Sequence, residues 1–138
     1  MAKSNIVEGD YRRKIKTPDE LCGIIGKHPR KKKVVMCHGT FDLVHPGHIR
    51  HLIYARGKGD LLVVSLTCDA HVKKADFRPY VPEELRAMNL AALEVVDYVV
   101  IDSQPTPLGN LDLIQPDFFV KGFEYGHGES PPRTQEEK

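Results

Sequence analysis

The sequence predicts a single α/β domain built on a doubly wound parallel sheet, and three observations support this. Short apolar runs at 34–36, 61–66, 98–101 and 118–120 alternate with segments of helical periodicity. One run, Leu61-Leu62-Val63-Val64-Ser65-Leu66, is apolar on both faces, as a central parallel strand is. The polar stretches 38–42, 67–74 and 121–125 each follow a run, so they meet beyond the carboxyl ends of the strands, where such sheets bind ligands. A chain of 138 residues is one domain by length and can bury about two-thirds of its unfolded surface.

In chain order, residues 1–16 are polar and read as a flexible N-terminus. Thr17-Pro18-Asp19-Glu20 is a capping box, opening a short helix whose apolar face is Leu21, Ile24 and Ile25. The basic run 27–33 reads as a solvated turn into the first strand, with a nucleic-acid patch as the alternative. The first strand breaks at Gly39, and a helix starts at Pro46 with Ile49, Leu52 and Ile53 on one face. Residues 60–67 form the second strand and 68–81 a polar connection carrying Lys73, Lys74 and Arg78. A helix over 82–94, acidic at its start, places Leu85, Met88, Ala92 and Val95 at core spacing. The third strand is 98–101. Thr106-Pro107 opens a helix through Leu108, Leu111 and Ile114 that Pro116 stops. The fourth strand is 118–120, ending at Lys121-Gly122, and 126–138 reads as a disordered tail. No internal repeat is present.

The chemistry concentrates in Val-Val-Met-Cys-His-Gly-Thr-Phe-Asp-Leu-Val-His-Pro-Gly-His, residues 34–48. Gly39 has no Cβ, so a phosphate can approach the main chain there. The amides of Gly47 and His48 sit at the positive end of a helix and lack intrahelical partners. His45 and His48, three apart, add two imidazole donors to that anion site.

Gly39-Thr40-Phe41-Asp42 followed by His45-Pro46-Gly47-His48 resembles the signature of the cytidylyltransferase-like nucleotidyltransferases. Arg78-Pro79, Pro82-Glu83-Glu84-Leu85-Arg86, Ala91-Ala92-Leu93-Glu94, Val96-Asp97-Tyr98-Val99, Pro116-Asp117 and Val120-Lys121-Gly122 are similar to one branch. That branch is the adenylyltransferase domain of heptose-1-phosphate adenylyltransferases. The glycerol-3-phosphate branch usually carries Arg-Tyr-Val-Asp where this chain has Glu94-Val95-Val96-Asp97. The resemblance implies a Rossmann-like domain over 17–125 that transfers AMP from ATP to a sugar 1-phosphate and releases pyrophosphate, with Mg²⁺ on the triphosphate. It implies that His45 and His48 contact the triphosphate, with His38, Gly39, Thr40, Phe41, Asp42 and Gly47 around the nucleotide. Lys121 and Gly122 fall near it too. Lys73, or Lys74 beside it, would neutralise charge between acceptor and α-phosphate, and Lys74, Arg78 and Arg86 would meet the acceptor. The resemblance leaves room for a homodimer and for fusion to a sugar kinase. Relatives usually continue into a Ser/Thr-rich phosphate motif; only Ser130 and Thr134 follow Tyr125, so the tail is expected to stop short of it.

Other readings stay open. The product could instead come from a cytidylyltransferase acting on glycerol 3-phosphate or another polyol phosphate, or the chain could be a non-catalytic nucleotide-binding module. Asp42 could be purely structural, and Arg86 could make a surface salt bridge rather than a phosphate contact. His51 and His71 read as surface residues. A zinc cluster from Cys37, His38, His45, His48 and His51 is disfavoured, because Cys37 and His38 alternate to opposite faces of a strand; no metal ligands are assigned. Net charge +1 gives no drive toward nucleic acid or membrane. No apolar run approaches the ~20 residues needed to span a bilayer. Three cysteines without a Cys-x-x-Cys pair suit free thiols in a reducing cytoplasm.

Overall fold

The computed structural model describes residues 11–72 and 79–120. Strands β1 (Val34–Gly39), β2 (Leu61–Thr67), β3 (Tyr98–Asp102) and β4 (Phe118–Val120) form one parallel sheet in the order β3-β2-β1-β4. Helices α1 (Pro18–Ile25), α2 (Pro46–Arg56), α3 (Glu83–Ala91) and α4 (Leu108–Ile114) flank it, with a 3₁₀ turn at Asp69–His71. Moving from β1 to β2 to β3 by right-handed crossovers puts α2 and α3 on one face. There Leu52, Ala55, Ala87, Leu90 and Ala91 pack on Val35, Cys37, Leu62, Val64, Leu66 and Val99. The chain then returns to β4 beside β1, so α4 joins α1 on the other face, over Val34, Met36, Val63 and Val100. The reversal point lies between β1 and β4, and the crevice it opens there is where such sheets take ligands.

Local chemistry explains the element ends. The Thr17 hydroxyl accepts the Glu20 N–H at 3.1 Å while the Glu20 carboxylate accepts the Thr17 N–H at 2.9 Å, completing the expected capping box. In the basic run the lysines are exposed. Arg30 differs: its Nη2 donates to the carbonyls of Ile114 and Gln115 at 2.7 and 2.6 Å, closing the C-terminal end of α4. Gln115 adopts a left-handed conformation there, with φ of 53°.

Three expectations change. Residues 11–16 are not a loose leader, because Ile15 pairs with Val99 at the outer edge of β3. The Val99 N–H donates to Lys14 O and the Lys16 N–H to Val99 O, both at 2.9 Å. The buried face of α2 is His48, Leu52 and Ala55, while Ile53 is exposed; the N-terminal cap pins His48 inward and sets the helix rotation. On α3 the buried stripe is Arg86, Ala87, Leu90 and Ala91, and Leu85 is exposed. Hydrogen bonds draw Arg86 inside, turning the helix by one position, and two alanines let it sit close to the sheet. Ile24 and Leu108 are likewise exposed, so α1 and α4 bury narrower stripes than their sequences suggest. Among the described residues no helix is long and apolar enough to cross a membrane.

Gly59 marks a close approach of two backbones. A Cβ there would meet Lys33 O at 2.8 Å and Val35 Cγ2 at 2.9 Å. Gly59→Ala is therefore expected to destabilise by about 1–3 kcal/mol through forced overpacking. Urea unfolding checks this, and a variant as stable as the parent would show that the β1–β2 junction yields without strain.

Candidate active site

The loop after β1 delivers the chain to α2 through an unusual cap. His45 is the N-cap residue and His48 the third helical residue, and their rings take the places usually held by hydroxyl and carboxylate. His45 Nδ1 accepts the Gly47 N–H at 3.0 Å, and His48 Nδ1 accepts the His45 N–H at 3.2 Å. An imidazole nitrogen that accepts cannot carry the proton, so in the neutral rings the proton is on Nε2. Each histidine thus has one donor atom, Nε2–H, at the positive end of a helix. The two rings lie 4.0 Å apart by centroid and are tilted, and Phe41 packs 5.3 Å from His48.

Buried and partly buried bonds on both faces of the sheet hold this loop. Arg86 is 0% exposed. Its Nε donates to Val81 O at 2.9 Å, its Nη1 to Thr40 O at 2.9 Å and Thr67 O at 2.7 Å, and its Nη2 to Asp69 Oδ1 at 2.7 Å. One guanidinium therefore ties together the ends of β1 and β2, the 3₁₀ turn and the entry to α3. Asp42 works alongside it: Oδ2 accepts the Tyr80 N–H and Oδ1 the Val81 N–H, both at 2.9 Å. On the opposite face His38 bridges Ser65 Oγ at 2.9 Å and Thr67 Oγ1 at 3.2 Å. Between these anchors Phe41 takes φ of 50°, a left-handed conformation that a bulky residue adopts only where its surroundings over-determine it.

The structure thus brings Gly39, Thr40, Phe41, Asp42, His45, Gly47 and His48 into one loop and helix start. It separates two expected members from that surface. His38 is 2% exposed and lies beneath the loop, hydrogen-bonded to β2. Arg86 is neither a surface ion pair nor a substrate contact, since its donors serve Val81, Thr40, Thr67 and Asp69. It is a positioning residue. Lys73, Lys74, Arg78, Lys121 and Gly122 lie outside the described residues, as do the boundary at 125 and the tail. Sequence reasoning missed Ser65, Thr67 and Asp69. The signal was present, because Ser65 and Thr67 are the polar residues of an otherwise apolar strand. An open cleft of about 460 Å³ lined by Arg13, Lys14, Leu61, Glu94, Asp97 and Tyr98 lies at the amino ends of β2 and β3. It is the wrong end of the sheet for ligand chemistry, and its Asp97 is engaged with Arg56 and the Leu62 N–H. Cys37 and Cys68 are buried, and burial with help from Asp19 pushes the Cys22 thiol up against the opposing effect of Arg30.

The donor set is built for anions rather than for a cation. Among the described residues no group of three or more His, Cys, Asp or Glu comes together to hold a metal ion. The carboxylates nearest the loop, Asp42 and Asp69, are engaged by Tyr80, Val81 and Arg86.

Known proteins resemble this chain in sequence and fold. A solved lipopolysaccharide core biosynthesis protein from Thermoplasma volcanium superposes with a TM-score of 0.64 at 25% identity, covering 75% of this chain and 82% of that one. The bifunctional protein HldE of Citrifermentans bemidjiense is 47% identical over 119 residues, 84% of this chain and 24% of its own length. The HldE proteins of Geobacter sulfurreducens and Campylobacter concisus are 44% and 45% identical over 86% and 84% of the chain. The chain spans about a quarter of the length of these relatives. The cytidylyltransferase-like family model matches residues 36–128, from the middle of β1 past β4 and through the histidine cap, and the chain belongs to the cytidylyltransferase-like family.

Proposed function

We propose that the chain is an adenylyltransferase that moves AMP from ATP to a sugar 1-phosphate of the heptose 1-phosphate kind. The observation that carries this reading is the reciprocal histidine cap, which presents two Nε2–H donors and a helix N-terminus to one anion. In the reaction a phosphate oxygen of the acceptor attacks the α-phosphorus of ATP and forms the new P–O bond. The bond from the α-phosphorus to the bridging oxygen breaks, and pyrophosphate leaves with that electron pair. The protein has little covalent chemistry to perform; it aligns two anions and stabilises charge as it develops. His45 and His48 donate to the triphosphate oxygens, while Arg86 and Asp42 keep the loop from drifting. Lys73 or Lys74 would neutralise charge between acceptor and α-phosphate, with Lys121 and Gly122 near the nucleotide. Mg²⁺ enters with the triphosphate as part of the substrate, offsetting its charge, and the described residues provide no cage of their own.

The segment Glu94-Val95-Val96-Asp97 and the similarity to HldE proteins favour ATP. A cytidylyl transfer to a polyol phosphate is the second reading, favoured by the family itself. Because the relatives are bifunctional, we also infer that a sugar kinase partners this domain and supplies its acceptor. Pyrophosphate release, with ATP and CTP each crossed against heptose 1-phosphate, mannose 1-phosphate and glycerol 3-phosphate, tests the assignment. ATP with a sugar 1-phosphate is the expected pair. Faster release from CTP with glycerol 3-phosphate would move the chain to the second reading, and no release with any pair would remove transfer altogether.

A further inference from the structure

The carboxyl ends of the strands carry a buried polar layer on the α1/α4 face. Met36, Val63 and Val100 belong to the apolar cluster on that face, together with Ile114 of α4. Two residues further along each strand, on the same face by strand periodicity, stand His38, Ser65 and Asp102. Thr67 continues the row on β2 and is the register partner of Asp102. Asn110 lies one helical turn ahead of Ile114 on the buried side of α4. All five side chains are buried, so the top of this face is polar where its base is apolar.

The layer is satisfied at one end and not at the other. His38 links Ser65 and Thr67. Asp102 Oδ1 accepts the Gln104 N–H at 2.9 Å, but Asp102 Oδ2 and Asn110 Nδ2 have no hydrogen-bond partner among the described residues. Asp102 is 1% exposed and Asn110 7%. A buried carboxylate oxygen without a partner is expensive, and it calls for a ligand or a function. Here one orphan accepts and the other donates. A polyol supplies both, a hydroxyl oxygen to accept Nδ2–H and a hydroxyl proton for Oδ2.

We propose that Asp102 and Asn110 read hydroxyls of the phosphorylated acceptor, an inference that rests on the nucleotidyl-transfer reading above. β3 lies two strand spacings from β1, about 9–10 Å across the top of the sheet. A sugar phosphate whose phosphate reaches the start of α2 therefore has its far hydroxyls over β3. A carboxylate and an amide are suited to polyols, and they reject an analogue that lacks the matched hydroxyls by leaving both groups unpaired. Asp102 is then a specificity-determining residue.

Asp102→Asn tests this directly, because it keeps the shape and an acceptor for Gln104 while turning the Oδ2 position into a donor. The assay uses the chain with whichever of heptose 1-phosphate, mannose 1-phosphate or glycerol 3-phosphate the parent consumes. The KM for that acceptor is expected to rise about 10- to 100-fold, the loss of one hydrogen bond to a charged group. The KM for ATP and the melting temperature should stay with the parent. Should Asp102→Asn fail to fold, Asn110→Ala carries the same test. An unchanged acceptor KM with an altered melting temperature would overturn the proposal and leave an internal water as the partner of both atoms. A rise confined to the KM for ATP would overturn it as well. A parent inactive with every acceptor defeats the transfer reading and this inference with it, whereas an active parent and an unaffected variant defeat this inference alone.

Discussion

His48→Ala is expected to lower turnover by about 10²–10³, the usual cost of losing one preorganised donor to developing charge. Nucleotide affinity should fall much less, because His45 and the positive end of the helix remain. The ring has two jobs, and they can be separated. Its Nδ1 accepts the His45 N–H at 3.2 Å and so closes the cap, which in the neutral ring leaves the proton on Nε2. Glutamine at this position can still accept that N–H, as it does in ordinary capping boxes, but offers no imidazole donor. His48→Gln should therefore retain the parent's stability and lose nearly as much rate as His48→Ala. Recovery of the parent rate in the glutamine variant would reduce His48 to a helix cap, and parent-like kinetics in the alanine variant would take it out of the mechanism.

Arg86→Met is expected to destabilise the fold by about 3–5 kcal/mol, because it leaves three backbone carbonyls without a charged donor, at about 1–3 kcal/mol each. The substitution keeps the length of the side chain but leaves the carbonyls of Val81, Thr40 and Thr67 and the Asp69 carboxylate without their donor. Against a typical total of about 5–15 kcal/mol, that is a large fraction of the stability. A drop in melting temperature of roughly 10 °C or more should report it. Arg86→Lys should recover only part, since a single ammonium cannot occupy the fork that reaches four acceptors. A methionine variant that melts with the parent would mean that the four acceptors find other partners, and the hub would lose its role.

The strands and the loop after β1 were legible because their signals are local. Alternating apolar runs give the order of elements, and a glycine, a proline and two histidines at fixed spacing give the helix start. The helix rotations were not legible. Leu85 and Met88 have the better hydrophobic spacing, yet Arg86 is the residue inside, because its hydrogen bonds to Thr40 and Thr67 span 46 and 19 positions of sequence. Periodicity counts apolar side chains and cannot see a buried cation whose partners are backbone carbonyls. His38 was misplaced for a related reason. The family resemblance implied a place around the nucleotide, whereas its ring partners, Ser65 and Thr67, become neighbours only once β1 and β2 pair in register. Asp102 carried no motif at all and stands out only through an oxygen without a partner.

The pairing of Ile15 with Val99 has a consequence for self-association. An open strand edge is a template on which a second chain can add, and it is a common route to aggregation. Here the chain places its own residues 14–16 against Val99 on the outer edge of β3, so another copy could pair at Val99 only by first peeling that segment away. Tyr11 and Ile15 pack against the same apolar cluster as α2 and α3, so peeling would also strip cover from the core. The N-terminal segment therefore guards the Val99 position of this edge against strand addition.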